Sequence, residues 1–121
     1  MNESIGFPAA VKLEDFGQKI FDVFGDYPYR VGSSLIDKKN WRDVDIRLIL
    51  SSEEYKKLEL GDPQRGPENP KWVAMCYAFS ELGKAMTGLP IDFQIQERNY
   101  ANKSFEGPRE PIGILPFRKQ N

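Results

Sequence analysis

Residues 43–50 read Asp-Val-Asp-Ile-Arg-Leu-Ile-Leu, and the interpretation of the whole chain starts from this stretch. Its first half alternates acidic and apolar residues, and its second half is almost wholly apolar. Side chains at positions i and i+2 of a strand lie on the same face. The stretch therefore predicts a strand from about Val44 to Leu50, with Asp43 and Asp45 on one face and apolar side chains on the other.

Two carboxylates on one face of an apolar strand repel each other, and each raises the pKa of the other unless a cation compensates. The ordinary alternative is a strand end at the surface, where acids cost little free energy, and the pair alone favours neither interpretation. Another acid, Asp92, has similar surroundings, because residues 90–96 read Pro-Ile-Asp-Phe-Gln-Ile-Gln. If its strand lies beside that of Asp43 and Asp45, at the usual spacing of about 4.8 Å, all three carboxylates converge on one side.

The composition limits the chemistry that the chain can perform. The chain has 121 residues, for which one domain is expected, and its formal net charge of −1 gives no overall basic field to attract nucleic acid. It contains no His, which excludes His-activated nucleophiles and His-ligated metals. Any bound metal must therefore have oxygen ligands, which selects hard cations such as Mg²⁺, Mn²⁺ or Ca²⁺.

The predicted location of the protein rests on three features of the sequence. The single cysteine, Cys76, excludes an internal disulfide and is typical of a reducing compartment. No stretch approaches the ~18 apolar residues of a membrane span. The first four residues lack the basic and apolar regions of a signal peptide. These features predict a cytoplasmic protein that does not enter a membrane.

Periodicity, caps and turn residues predict the remaining elements. In chain order the predicted elements are a helix over 11–24, strands over 29–31 and 44–50, helices over 52–60 and 70–87, and a strand over 91–96. A leader of residues 1–10 and a C-terminal extension of residues 97–121 complete a single domain, 1–121. The order predicts an α+β fold, a small mixed β-sheet with helices packed on one face. Trp72, Tyr77 and Phe79 follow helical spacing and are expected in the core.

The turn Gly32-Ser33-Ser34 directly follows the predicted strand 29–31. In such a turn, backbone N–H groups and a hydroxyl can hold phosphate oxygens, and Gly lets the backbone approach closely. Gly-Ser pairs also mark ordinary turns far more often than phosphate sites. Ser34 can contribute a hydroxyl contact or cap the turn that follows, and the residues alone leave both open.

The joint pattern is more specific than any of its parts. The pattern consists of Val31-Gly32-Ser33, nine intervening residues and an acid–apolar–acid–apolar run that begins at Asp43. It resembles the signature of the DNA polymerase beta-like nucleotidyltransferase superfamily. Asp92 lies between two apolar residues, as the third family carboxylate does. The resemblance spans about residues 29–96 and leaves almost no chain for a second domain. The chain therefore resembles the minimal nucleotidyltransferases.

This resemblance implies an enzyme that moves a nucleoside monophosphate from an NTP such as ATP to a hydroxyl or phosphate acceptor by a two-metal mechanism. By resemblance, the triphosphate is bound by Gly32, Ser33 and Ser34. The Mg²⁺ or Mn²⁺ ions are ligated by Asp43, Asp45 and Asp92. The last of these also favours deprotonation of the acceptor. Because the chain is small, we expect a helical protein partner, a second copy in a homodimer or the mobile segments of the chain to provide the acceptor surface.

Two alternatives stay open. The first is a non-catalytic binding or regulatory module with the same fold, such as half of a toxin–antitoxin pair. The second is a plain α/β domain whose acids merely bind a cation. Arg47 shares the face of the acids, and we expect it to form a salt bridge with one of them rather than to contact phosphate.

Overall fold

The structure is a computed structural model, and it describes residues 5–37 and 41–114. In chain order its elements are α1 (Phe7–Phe24), β1 (Tyr29–Val31), α2 (Ser33–Ile36), β2 (Val44–Leu50), α3 (Ser52–Lys57), a 3₁₀ helix (Pro63–Glu68), α4 (Pro70–Thr87), β3 (Ile91–Glu97), α5 (Arg98–Ser104) and β4 (Glu110–Pro111). The predicted α+β class is confirmed, as are the bounds of the first two strands.

The four strands form one mixed sheet in the order β3-β2-β1-β4. Strand β2 runs antiparallel to β1 and parallel to β3. Parallel neighbours need a crossover connection, and α3, the 3₁₀ helix and α4 supply it here. The register of the parallel pair places Asp45 directly opposite Asp92, and Val31 of β1 lies opposite Asp45 on its other side.

The core lies on the apolar face of β2 and β3, beneath α1 and α4. Phe93 is fully buried at its centre. The rings of Phe16 in α1 and Phe79 in α4 lie 6.1 Å and 5.5 Å from the Phe93 ring, measured between centroids. Each large apolar side chain buried in this way contributes about 1.5–3 kcal/mol to folding. Because this face is filled by the two long helices, the acids opposite are left on the other face.

Side chains of α4 also cover the outer edge of β3. The Ser80 hydroxyl accepts a hydrogen bond from the Phe93 backbone N–H at 2.8 Å. The Trp72 indole N–H donates to the Ile95 carbonyl at 2.8 Å. A bare strand edge leaves backbone groups unpaired and open to further strands. These bonds therefore end the sheet at β3 and fix the position of the strand that carries Asp92.

The chain termini and α4 differ from expectation in three places. Helix α1 begins at Phe7, inside the stretch predicted as a leader, because Pro8 is compatible with a first helical turn. The predicted extension is partly built into the fold, since β4 pairs with β1 and Ile112 is only 1% exposed. The expectation that Tyr77 is in the core is wrong, because its side chain is 67% exposed on the outer face of α4.

Candidate functional site

The neighbouring strands β2 and β3 bring two of the predicted acids together. Asp45 and Asp92 are register partners on neighbouring strands, and their carboxyl groups are close enough for Asp92 to raise the pKa of Asp45. Asp43 is exposed and lies one residue before β2. Burial raises the pKa of Asp45 above its ordinary value, and the charges of Asp92 and Asp43 raise it further, while that of Arg47 lowers it. The structure therefore concentrates negative charge at this point of the sheet.

The turn after β1 is packed directly against Asp45. Gly32 has φ 80° and ψ −159°, a conformation that is essentially restricted to glycine. A Cβ atom at this position would overlap Oδ2 of Asp45. Both the backbone conformation and the lack of space thus require Gly at position 32. The predicted phosphate turn and a predicted metal ligand are consequently in contact.

Arg47 spans the two facing acids. Its Nη2 lies 3.5 Å from Oδ2 of Asp92 and 3.9 Å from Oδ1 of Asp45. Its Nη1 donates to the backbone carbonyl of Asp92 at 2.7 Å and to that of Ile46 at 3.2 Å. The predicted salt bridge is therefore confirmed. The guanidinium therefore links β2 and β3, since it donates hydrogen bonds to a main-chain oxygen of each strand.

The two serines of the turn have different surroundings. Ser33 is exposed, whereas Ser34 is fully buried. The Ser34 hydroxyl accepts a hydrogen bond from Nε of Arg30 at 3.1 Å, and the Ser34 carbonyl accepts one from the same guanidinium. Arg30 lies opposite Ile46 in the sheet and therefore on the face away from Asp45. Ser34 thus anchors the turn to β1, and its assignment to phosphate stays a prediction.

The acids provide the donor atoms that Mg²⁺ and Mn²⁺ prefer, since carboxylate oxygens are hard ligands. In residues 5–37 and 41–114, no three Asp, Glu, His or Cys side chains form a ready-made metal-binding group. The site is chemically suited to a cation with oxygen ligands, because the carboxyl groups of Asp45 and Asp92 face each other and the charge of Asp43 is nearby. Arg47 occupies part of the space between the first two.

A cavity of about 190 Å³ lies beside the acids, on the same face of the sheet. Gly32, Asp45 and Arg47 line its sheet side, and Phe105 and Arg109 line it from the segment after β3. Arg109 is held there by hydrogen bonds to backbone carbonyls at the end of α5. The side of the cavity formed by Phe105 and Arg109 could not be predicted from the sequence, because the segment after residue 97 has no periodicity that predicts its position.

A larger cavity of about 460 Å³ continues along the sheet and shares Ile49 and Arg109 with the first. Asp26 lines it, together with Arg98 and two tyrosines. Burial raises the pKa of Asp26, and the neighbouring Glu54 raises it further. This second pair of acids was also not identified from the sequence, since Asp26 and Glu54 lie in a turn and a helix that no shared pattern connects.

No protein-family model, curated protein or solved structure matches the chain. The resemblance to nucleotidyltransferases therefore depends on the residues described above. Within the part of the chain that the structure describes, none of the helices has both the length and the apolarity needed to cross a membrane.

Proposed function

We propose that this protein is a metal-dependent nucleotidyltransferase. It transfers a nucleoside monophosphate from an NTP, such as ATP, to a hydroxyl or phosphate acceptor. One observation carries the proposal: Asp45 faces Asp92 across two parallel strands while Gly32 packs against the Asp45 carboxylate. The superfamily pattern requires these distant stretches to meet, and a chance pattern in the sequence has no reason to bring them together.

Each group in the site has a part in the proposed reaction. In the two-metal mechanism that the resemblance implies, Asp43, Asp45 and Asp92 would hold the divalent cations, and the turn at Gly32 and Ser33 would bind the triphosphate. The acceptor oxygen forms a bond to the α-phosphorus of the NTP, the α–β phosphoanhydride bond breaks and pyrophosphate leaves. The proton of a hydroxyl acceptor is released towards Asp92. A bound Mg²⁺ or Mn²⁺ supplies positive charge for the attacking and leaving oxygens.

The acceptor surface and the location of the protein are part of the same proposal. Val73 and Tyr77 lie one helical turn apart on α4 with exposed apolar side chains, and this pair supports a helical protein partner or a second copy of the chain. The lone cysteine supports a cytoplasmic location, where thiols stay reduced.

The direct test is to incubate the protein with Mg²⁺ or Mn²⁺ and NTPs labelled at the α-phosphate, while pyrophosphate release and label transfer are followed. We expect transfer by the wild type and its loss, by at least about a hundredfold, in Asp45→Asn and Asp92→Asn, as for removal of other transition-state charge stabilisers. Glu81→Gln removes a carboxylate from the exposed side of α4 and serves as the matched control. Transfer that survives both Asp→Asn substitutions would exclude the proposed mechanism.

A second candidate is a non-catalytic module that retains the fold. The observation that favours it is the Arg47 bridge, because a guanidinium compensates the facing acids without any metal. On this hypothesis the protein turns over none of the four NTPs but binds a helical partner tightly. A melting temperature that does not change at saturating Mg²⁺ and NTP would favour it, since a ligand that binds only the folded state must raise that temperature.

A further inference from the structure

We infer that Arg47 takes the place of one of the two cations, so that the site works with a single divalent ion. This inference rests on the proposed function and concerns the divalent ion that, by resemblance, Asp92 would ligate. In this chain the guanidinium of Arg47 lies between the carboxylates of Asp45 and Asp92.

The first step of the argument is that Arg47 is fixed in position. Its side chain is only 15% exposed. Its strongest bond, 2.7 Å long, is to the backbone carbonyl of Asp92, and a second bond goes to the carbonyl of Ile46. A metal ion that binds the carboxylates removes neither of these acceptors. The guanidinium therefore keeps its place when the acids acquire another ligand.

The second step concerns the space and charge between the acids. A cation bound to both facing carboxylates would sit next to Nη2 of Arg47, which is already 3.5–3.9 Å from one oxygen of each. Like charges at such distances repel strongly in a partly buried site. The guanidinium therefore opposes a metal ion at this position and itself supplies a positive charge there.

The third step identifies where the remaining ion binds. Oδ1 of Asp45 faces Arg47, whereas Oδ2 faces the turn at Gly32. Asp43 directly precedes the same strand and is exposed, so its carboxylate is free to turn towards an ion. A single cation would then have Asp45 and Asp43 as its carboxylate ligands, on the side of the site where the triphosphate is proposed to bind.

The experiment counts bound metal. The protein is dialysed against Mn²⁺ in the presence of an ATP analogue with a methylene group between the α- and β-phosphates, and bound Mn²⁺ per chain is measured. We expect one Mn²⁺ in the wild type and two in Arg47→Met. Without nucleotide, we expect Mn²⁺ to bind Arg47→Met about tenfold or more tightly than the wild type, since a nearby like charge is gone.

Two further variants make the result unambiguous. Arg42→Met is the control, because it also removes one positive charge close to the acids, from an exposed side chain next to Asp43 in sequence. We expect this variant to bind one Mn²⁺. Arg47→Gln keeps an N–H for the Asp92 carbonyl but carries no charge, and it replaces Arg47→Met if the latter does not fold. Two Mn²⁺ in the wild type, or one Mn²⁺ in the folded Arg47 variants, would overturn the inference.

The outcomes also separate this inference from the proposed function. Two Mn²⁺ in a wild type that transfers nucleotide would overturn the role of Arg47 and leave the function intact. One Mn²⁺ in the wild type and two in the Arg47 variants, without any transfer, would support the role of Arg47 and refute the enzyme. No bound Mn²⁺ in any variant would overturn both.

Discussion

Replacement of Gly32 by Ala tests the central contact of the candidate site. The residue has φ 80° and ψ −159°, and the added Cβ would overlap Oδ2 of Asp45. The substitution thus combines two costs, a backbone conformation that alanine rarely adopts and a steric clash with a carboxylate. Only the second depends on Asp45, so the two can be separated by experiment.

The expected loss of stability follows from these two costs. A non-glycine residue in this region of φ and ψ costs about 1–3 kcal/mol. An overpacked contact costs about 1–3 kcal/mol more. The sum, about 2–6 kcal/mol, is a large part of the ~5–15 kcal/mol that stabilises a typical domain. For a chain of this size we expect the melting temperature to fall by about 8 °C or more.

Urea unfolding followed by circular dichroism measures this free energy. Gly88→Ala is the matched control, because Gly88 has φ 76° and ψ 3° but no atom within 4 Å of the added Cβ. We expect that control to cost about 1–2 kcal/mol, the penalty of the left-handed conformation alone. Gly32→Ala should also be measured in an Asp45→Ala background, where the clash is absent.

Two results would refute this reasoning. The first is a cost of Gly32→Ala no larger than that of Gly88→Ala. The second is an equal cost of Gly32→Ala with and without Asp45, because the cycle would then show no coupling between the turn and the carboxylate. Either result would mean that the turn does not pack on Asp45 as the structure shows.

Three further predictions concern stability. A hydrogen bond from Ser52 lowers the pKa of Glu97, partly opposed by burial, so Glu97→Gln should cost about 1–2 kcal/mol at pH 7. Because the folded pKa is below the unfolded one, this difference in urea unfolding should disappear as the pH falls below about 4. The pKa of Asp45 is higher in the folded protein than in the unfolded chain, so the free energy of unfolding falls as the pH rises from the unfolded pKa through the folded pKa. Asp45→Asn removes this cost and should raise the melting temperature of the metal-free protein at pH 7. It should also abolish any further increase caused by Mg²⁺, and a lower melting temperature would contradict this account. On α4, truncation of the half-buried ring in Phe79→Ala should cost about 1–3 kcal/mol and the exposed Tyr77→Ala less than about 0.5 kcal/mol, and equal costs in thermal unfolding would contradict the packing described.

Much of the local structure could be predicted because it depends on neighbours in sequence. The Ser51 side chain accepts from the Glu54 backbone N–H, as the capping pattern indicates. Asn69 caps α4 in the same way, and Gly88 ends it in the left-handed conformation. Where the pattern was weaker, as in the tail after Glu97, α5 and β4 could not be predicted. Their positions depend on contacts with β1 and β2 rather than on their own periodicity.

The sequence by itself determined that acids and apolar residues alternate on two strands, because a strand turns successive side chains to opposite faces. Only the tertiary structure decided that these strands are parallel neighbours with Asp45 opposite Asp92. It also decided that Ser34 is bound by Arg30 and that Arg47 bridges the acids. Strand order and side-chain partners come from contacts between residues far apart in the chain, and local periodicity carries no information about them.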